Sequence, residues 1–231
     1  MKKISYYDSL ARRLLEERSL PSLEELPSSF YRQNAIQVAK GLLGKYLLIR
    51  RPGFPPLAAR IVETESYMGV TDRAAHSCNG RRTARTEILY GPGGGVYIYL
   101  IYGMYACLNL VCNQPEIPEA ALIRAVEPVA GLDAMCAARF GCTPQELTAQ
   151  KGARALCGIS NGPGKLCRAL SLTPKDSGTN VFHSFIRIGV ENSPASFETV
   201  TTTRIGVDYA GEDALLPYRY YIKGNPFVSR P

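Results

Sequence analysis

Glu63 and Glu65, separated by one threonine, are followed by Tyr67 and His76 in the stretch Arg-Ile-Val-Glu-Thr-Glu-Ser-Tyr-Met-Gly-Val-Thr-Asp-Arg-Ala-Ala-His, residues 60–76. A carboxylate beside a cleft can take a proton from water and aim that water at an electrophilic carbon. A phenol ring and an imidazole can hold a flat ligand. Further on come Val-Tyr-Ile-Tyr-Leu-Ile-Tyr-Gly-Met-Tyr (96–105) and Ala-Leu-Ile-Arg-Ala-Val-Glu-Pro (121–128). An acid/base group, a stacking platform and an aromatic tip together suit chemistry on a nucleobase turned out of a duplex.

Ile61 to Tyr67 alternates as a strand, which puts Glu63, Glu65 and Tyr67 on one face. Such a face either meets solvent or lines a site. The apolar lead-in and the Arg-Ala-Ala-His segment that follows favour a site. Arg124 stands in an apolar strand, where an uncompensated charge would cost several kcal/mol. Pairing with Glu65 or Glu63 across a sheet is the economical solution. Asn109, also in an apolar run, is either a satisfied core amide or a polar wall of a pocket.

In 96–112, strands at 96–101 and 104–112 place Tyr97 and Tyr99 on one face and leave Tyr102 at the tip of a hairpin. An exposed tip ring can wedge into a base step and fill the gap left by an extruded nucleotide, with Tyr99 as the platform for the extruded base. Gly162-Pro163-Gly164-Lys165 before a helix reads equally as a helix-start turn or as a contact to a DNA phosphate. It is not a Walker loop, because Leu166 stands where Ser or Thr is needed. The basic cluster Arg81-Arg82-Thr83-Ala84-Arg85 is either a solvated loop or, as preferred here, a DNA-backbone contact.

The elements that must position these groups can be read in outline. A charge-rich amphipathic helix over 4–19 and a linker over 20–29 precede a compact part beginning near Phe30. Helices are predicted at 34–43, 131–140, 143–157 and up to Leu170, the third opened by the Thr143–Glu146 capping box. Strands are predicted at 46–50, 57–64, 96–101, 104–112, 120–126, 184–190, 199–207 and 218–223, with an ordered loop region at 68–95. Hairpins dominate over strict alternation, so the class is α+β: a single mixed domain with a curved, mostly antiparallel sheet flanked by helices and a protruding β-hairpin.

The 231 residues carry 27 Lys and Arg against 20 Asp and Glu, a net charge of +7, spread along the chain. A basic domain of this kind suits a polyanionic partner. The seven cysteines include no CxxC, and the chain has two histidines, so the expectation is no zinc, no disulfides and a reducing, cytoplasmic location. The N-terminus lacks the apolar run of a signal peptide, and the uncharged stretch 96–112 reads as a buried hairpin, with no membrane partner expected.

Six segments in order, Ile-Val-Glu-Thr-Glu-Ser-Tyr, Asp-Arg-Ala-Ala-His-Ser, Tyr-Ile-Tyr-Leu-Ile-Tyr-Gly-Met-Tyr, Leu-Ile-Arg-Ala-Val-Glu-Pro, Gly-Pro-Gly-Lys-Leu-Cys and Arg-Ile-Gly-Val, resemble the alkyladenine (3-methyladenine) DNA glycosylase family in its bacterial form, over about residues 30–230. The resemblance implies a monofunctional base-excision repair enzyme without metal or other cofactor, acting as a monomer, nucleoid-associated if bacterial, on double-stranded DNA containing damaged purines. It implies Glu65 as the base that activates water and Arg124 as its partner, with the carbonyl of Ile205 completing the cradle. Tyr67, His76 and Tyr99 would sandwich the flipped base, Tyr102 would enter the duplex, and Asn109 would reject the 2-amino group of guanine. Arg81, Arg82 and Lys165 are the expected backbone contacts. Glu63 has no role in this scheme. The alternative reading is a non-catalytic binder of damaged DNA on the same scaffold.

Overall fold

The computed structural model describes residues 5–16, 20–192 and 195–231. In chain order it contains α1 (Tyr6–Leu15), β1 (Glu24–Glu25), α2 (Ser28–Tyr31), α3 (Ala35–Leu42), β2 (Tyr46–Ile49), β3 (Leu57–Tyr67), β4 (Val96–Ile101), β5 (Tyr105–Cys112) and β6 (Glu119–Ala130). Then follow α4 (Leu132–Phe140), α5 (Pro144–Lys151), α6 (Pro163–Ala169), β7 (Ile186–Val190), β8 (Thr199–Thr202) and β9 (Arg219–Ile222). The strands form one curled antiparallel sheet in the order β1-β7-β2-β3-β6-β5-β4, with β9 added to β3 and β8 to β9. This is the expected mixed, mostly antiparallel architecture.

Local chemistry sets most boundaries. Asn34 caps α3 by accepting from the Gln37 amide, and Thr143 and Glu146 cap α5 reciprocally. The predicted helix over 143–157 is interrupted at Gly152 (φ 78°), beyond which Ala153–Ile159 is a 3-10 segment. β3 and β6 run further than expected, to Tyr67 and Ala130, because each supports the other along its length. Pro128 is tolerated in β6 beside a register irregularity. The strand predicted over 199–207 stops at Thr202, where Arg204 turns inward to pair with Asp72.

Of the helix expected over 4–19, Ile4 and residues 17–19 lie outside the described residues; α1 buries Leu10 and Ala11 in the main core, and Arg13 pairs with Glu127 at 2.6 Å. Leu26 is buried too, and β1 pairs with β7, so packing begins upstream of Phe30.

Helices α1, α3, α4, α5 and α6 contribute to one large core against the sheet. Ala59, Ile61, Val62, Leu108, Leu110, Ala121 and Ile123 belong to it, and Thr64 Oγ1 donates to the Ala39 carbonyl of α3 at 2.8 Å. Strict alternation cannot bury both Ile61 and Val62 on one side. Between Ile61 and Thr64 the β3–β6 register shifts and shifts back, leaving Val62 and then Arg124 as the extra residues. A bulge re-aims side chains by changing the phase of the pleat. Here it lets Ile61 and Val62 both join the core while Glu63, Glu65 and Tyr67 take the opposite face.

Candidate active site

One row of paired positions crosses five strands: Tyr97 on β4 opposite Asn109 on β5, Asn109 opposite Leu122 on β6, Leu122 opposite Glu65 on β3, and Glu65 opposite Arg219 on β9. Directly opposed residues share a face, so Tyr97, Asn109 and Leu122 line the same cleft of about 760 Å³, together with Tyr67, His76, Tyr99, Cys107, Arg124 and Ile205.

Glu65 is fully buried and touches two of these lining side chains, Tyr67 and Arg124. Its Oε1 is 3.1 Å from Arg124 Nη1 and accepts from the Ile205 amide at 2.9 Å, while Oε2 accepts from the Tyr67 hydroxyl at 2.8 Å. A carboxylate has about four acceptor positions, so one on Oε2 is open among the described residues. Ile205 holds the carboxylate through its N–H, a contact separate from the one to water expected of its carbonyl. Burial, opposed by the Glu65 and Glu63 carboxylates, leaves the Arg124 guanidinium charged with its pKa above the ordinary value. Burial and the neighbouring Glu65 carboxylate push the Tyr67 phenol well above its usual range, so it serves as a neutral donor.

Tyr97 and Tyr99 stack at 5.3 Å between centroids, and the His76 ring meets Tyr99 edge-on at 4.4 Å. His76 Nδ1 is 2.9 Å from the Tyr97 hydroxyl. Burial, helped by Arg85 and Arg81, lowers the His76 pKa to about 4. The imidazole is therefore neutral at physiological pH, and the tautomer in which Tyr97 donates to Nδ1 carries the ring proton on Nε2. A histidine with a lowered folded pKa stabilises the fold above its unfolded pKa of about 6.5, and that contribution is lost as pH falls toward 4. NMR of the His76 ring should give a midpoint near 4, and His76→Gln should flatten the decline in Tm over the same interval. A midpoint near 6.5 would show that the ring is not held as described.

Asn109 donates through Nδ2 to the Tyr97 and Cys107 carbonyls, both at 3.2 Å, leaving its amide oxygen as the group without a protein partner among the described residues. Its amide nitrogen is satisfied by the sheet, and the residue forms part of the cleft wall.

Tyr102 is 80% exposed at the hairpin tip, with φ of 53°, and Gly103 follows at φ 70°. Two successive positive φ values make the tight turn that suits hairpin twist, a place where Asn-Gly is usual and a bulky ring is strained. Leu100, Met104 and Tyr105 are exposed beside it.

The expected backbone contacts separate. Arg82 is tied to Glu87 at 2.7 Å and Glu116 at 2.6 Å and covers the Tyr90 ring. Its charge is met twice within the protein, by exposed pairs worth little in stability, so a phosphate would have to compete with Glu87 and Glu116 for it. Arg81 has no ion pair among the described residues. Lys165 lines the cleft and donates to Asn161 Oδ1 at 2.8 Å. The glycines around it have a packing reason: Gly162 adopts φ 151°, and a Cβ on Gly164 would come within 2.9 Å of Tyr105 Cβ. The motif seats α6 against the tip end of the hairpin, where Tyr105 pairs with Ile101.

Several site residues escape a sequence reading. Asp72 accepts from the Met68 and Ala74 amides and pairs with both Nη groups of Arg204, one at 2.9 Å, so a buried ion pair orders the loop carrying His76. Arg204 lies between the Tyr67 and Tyr218 rings. Arg85, Tyr209 and Arg230 also line the cleft. Arg219, a lone charge in the strand Tyr-Arg-Tyr-Tyr-Ile, carries the same signal that singled out Arg124.

Among the described residues no helix is long and apolar enough to cross a membrane. All seven cysteines are free thiols.

Residues 29–226 match the family model of methylpurine-DNA glycosylase. A Clostridium novyi protein provisionally named 3-methyladenine DNA glycosylase is 43% identical over 90% of this chain and 100% of its own length. Proteins with the same name from Methanocella arvoryzae and Bacillus cereus are 46% and 40% identical, each over 89% of this chain and over 96% and 99% of their own lengths. With cover of that extent, the chain belongs to the methylpurine-DNA glycosylase family, enzymes that hydrolyse N-glycosyl bonds in DNA.

Proposed function

We propose that this protein turns alkylated or deaminated purine nucleotides out of double-stranded DNA and hydrolyses the bond between base and deoxyribose, with water activated by Glu65. The observation that carries this reading is the arrangement around Glu65: Arg124, the Ile205 amide and the Tyr67 hydroxyl hold it beneath a cleft whose walls include Tyr67, His76 and Tyr99. On this reading the attacking water occupies the open position on Oε2, beside the lining side chains of Tyr67 and Arg124. As the base departs, positive charge grows at the sugar C1′, as in other glycoside hydrolyses. The buried carboxylate stabilises that charge and takes the proton of the attacking water. A purine alkylated at N3 or N7 is already cationic and leaves readily. A neutral one depends more on hydrogen bonds, and in the tautomer protonated on Nε2 His76 offers it a donor. The Asn109 side chain narrows the cleft against a guanine 2-amino group.

The +7 charge attracts the phosphate backbone, with Arg81, Arg85, Lys165 and Arg230 as cations at or near the cleft. The protein acts as a monomer in the reducing cytoplasm. The test is release of free base from duplexes carrying 3-methyladenine, 7-methylguanine, hypoxanthine or ethenoadenine; no release from any of them overturns the proposal.

Tyr102 is the wedge on this reading. Tyr102→Asn relieves the positive-φ strain of a bulky ring, about 1 kcal/mol, so Tm should stay level or rise. Lesion capture in duplex should weaken by roughly tenfold or more, in line with about 1–3 kcal/mol for stacking an aromatic ring on a base. Single-stranded substrate should be affected far less. Equal loss on both substrates removes the wedge.

A further inference from the structure

Glu63 is as deeply buried as Glu65, yet no part of the proposed reaction uses it. A buried carboxylate without a purpose would be replaced at a gain, since well-packed apolar groups are often more stable than a buried ion pair. Its surroundings are fully committed. Oε1 lies 3.2 Å from Arg124 Nε, 2.9 Å from Arg219 Nη1 and 2.9 Å from Ser229 Oγ, and Oε2 accepts from the Ser229 amide at 2.7 Å.

Each partner leads back to Glu65. Arg124 spans the two carboxylates, with Nε on Glu63 and Nη1 on Glu65. Arg219 donates its Nε to the Thr203 carbonyl at 2.9 Å, two residues before the Ile205 amide that holds Glu65. It also donates Nη1 to the Arg230 carbonyl at 2.7 Å. Both donors on Glu65 Oε1 are thus set, directly or through one guanidinium, by Glu63. The bulge between Ile61 and Thr64 is what brings Glu63 and Arg124 face to face. Two carboxylates and two guanidiniums form a closed set with no net charge. Ser229 and Arg230 lie beyond the 29–226 span that matches the family model.

We propose that Glu63 is a positioning residue: it fixes Arg124 and the 203–205 segment, and thereby the orientation of Glu65, while clamping the C-terminal Ser229–Arg230 segment to the site. This rests on the reading of Glu65 as the water-activating group. Misplacing a reacting group by about 1 Å can cost about a hundredfold in rate. Binding of the lesion duplex is made chiefly by the hairpin and the wall of His76, Tyr97 and Tyr99, none of which Glu63 touches.

The experiment measures single-turnover base release and lesion-duplex Kd for Glu63→Gln, Glu63→Asp, Ser229→Ala and Glu65→Gln. Glu63→Gln should slow release about a hundredfold with Kd within about twofold of the parent. Glu63→Asp, which restores the charge, should recover part of that rate. Ser229→Ala removes one donor to Glu63 while every buried charge stays in place, and should slow release by about threefold to tenfold. It decides the matter if Glu63→Gln fails to fold. Release at the parent rate in folded Glu63→Gln or in Ser229→Ala overturns the proposal, as does a loss of rate matched by an equal loss of binding. If Glu65→Gln itself releases base normally, the reading of Glu65 fails instead, and the two failures are told apart.

Discussion

Glu65→Gln is expected to lose base release while still binding lesion-containing duplex. Glutamine keeps the shape, and its carbonyl oxygen can still accept from the Ile205 amide and Arg124. The hydroxyl of Tyr67 can rotate to accept from the new amide group. What disappears is the acceptor for the water proton and the negative charge that faces C1′. Removing a positioned acid/base group slows a reaction by roughly 10²–10⁴, and here the same group also supplies electrostatic stabilisation, so the upper end is expected. Single-turnover release and Kd by fluorescence anisotropy give the two quantities separately. Release within about tenfold of the parent would place the essential base elsewhere. Loss of binding in the same proportion would mean that Glu65 builds the cleft and does not do the chemistry.

Much of this site is legible because a strand repeats every two residues. Once Glu63, Glu65 and Tyr67 are seen to share a face, and Tyr97 and Tyr99 another, one pairing register joins them into a row. Arg124 and Asn109 stand out as polar groups in apolar strands, and burial forces each to find partners. The same logic applies to Arg219, a single charge among aromatic residues.

What stays illegible has identifiable causes. The bulge at Val62 and Arg124 carries no glycine or proline to mark it, because the demand for it comes from the core, which must bury Ile61 and Val62 together. The loop over 68–95 looks polar and irregular in sequence, yet it is ordered by a pair, Asp72 and Arg204, whose members are 132 positions apart. Arg82 sits in a basic cluster, but its carboxylate partner Glu116 is 34 positions away and only folding brings it near. Local composition reports a residue's charge. Its availability depends on distant partners.

Arg124 presents the second large effect, and it tests fold and chemistry at once. Arg124→Met removes one guanidinium from between two fully buried carboxylates, Glu63 and Glu65. Breaking a buried pair by deleting one partner typically costs about 3–5 kcal/mol, because the remaining charge is left uncompensated. In a chain of this size each 1 kcal/mol is worth about 2–4 °C in Tm, so a fall of roughly 6–20 °C is expected. Arg124→Lys keeps a charge but not the fork. One ammonium cannot reproduce the Nε contact to Glu63 and the Nη1 contact to Glu65, so stability should largely survive while base release falls. The pair Arg124→Met and Glu63→Gln then discriminates mechanism from packing. If the cost is electrostatic, the double variant loses less stability than the two single losses added together, because the second change removes one of the orphaned charges. Strict additivity of the two Tm losses, or an Arg124→Met protein as stable as its parent, would show that the two carboxylates are not held by this guanidinium.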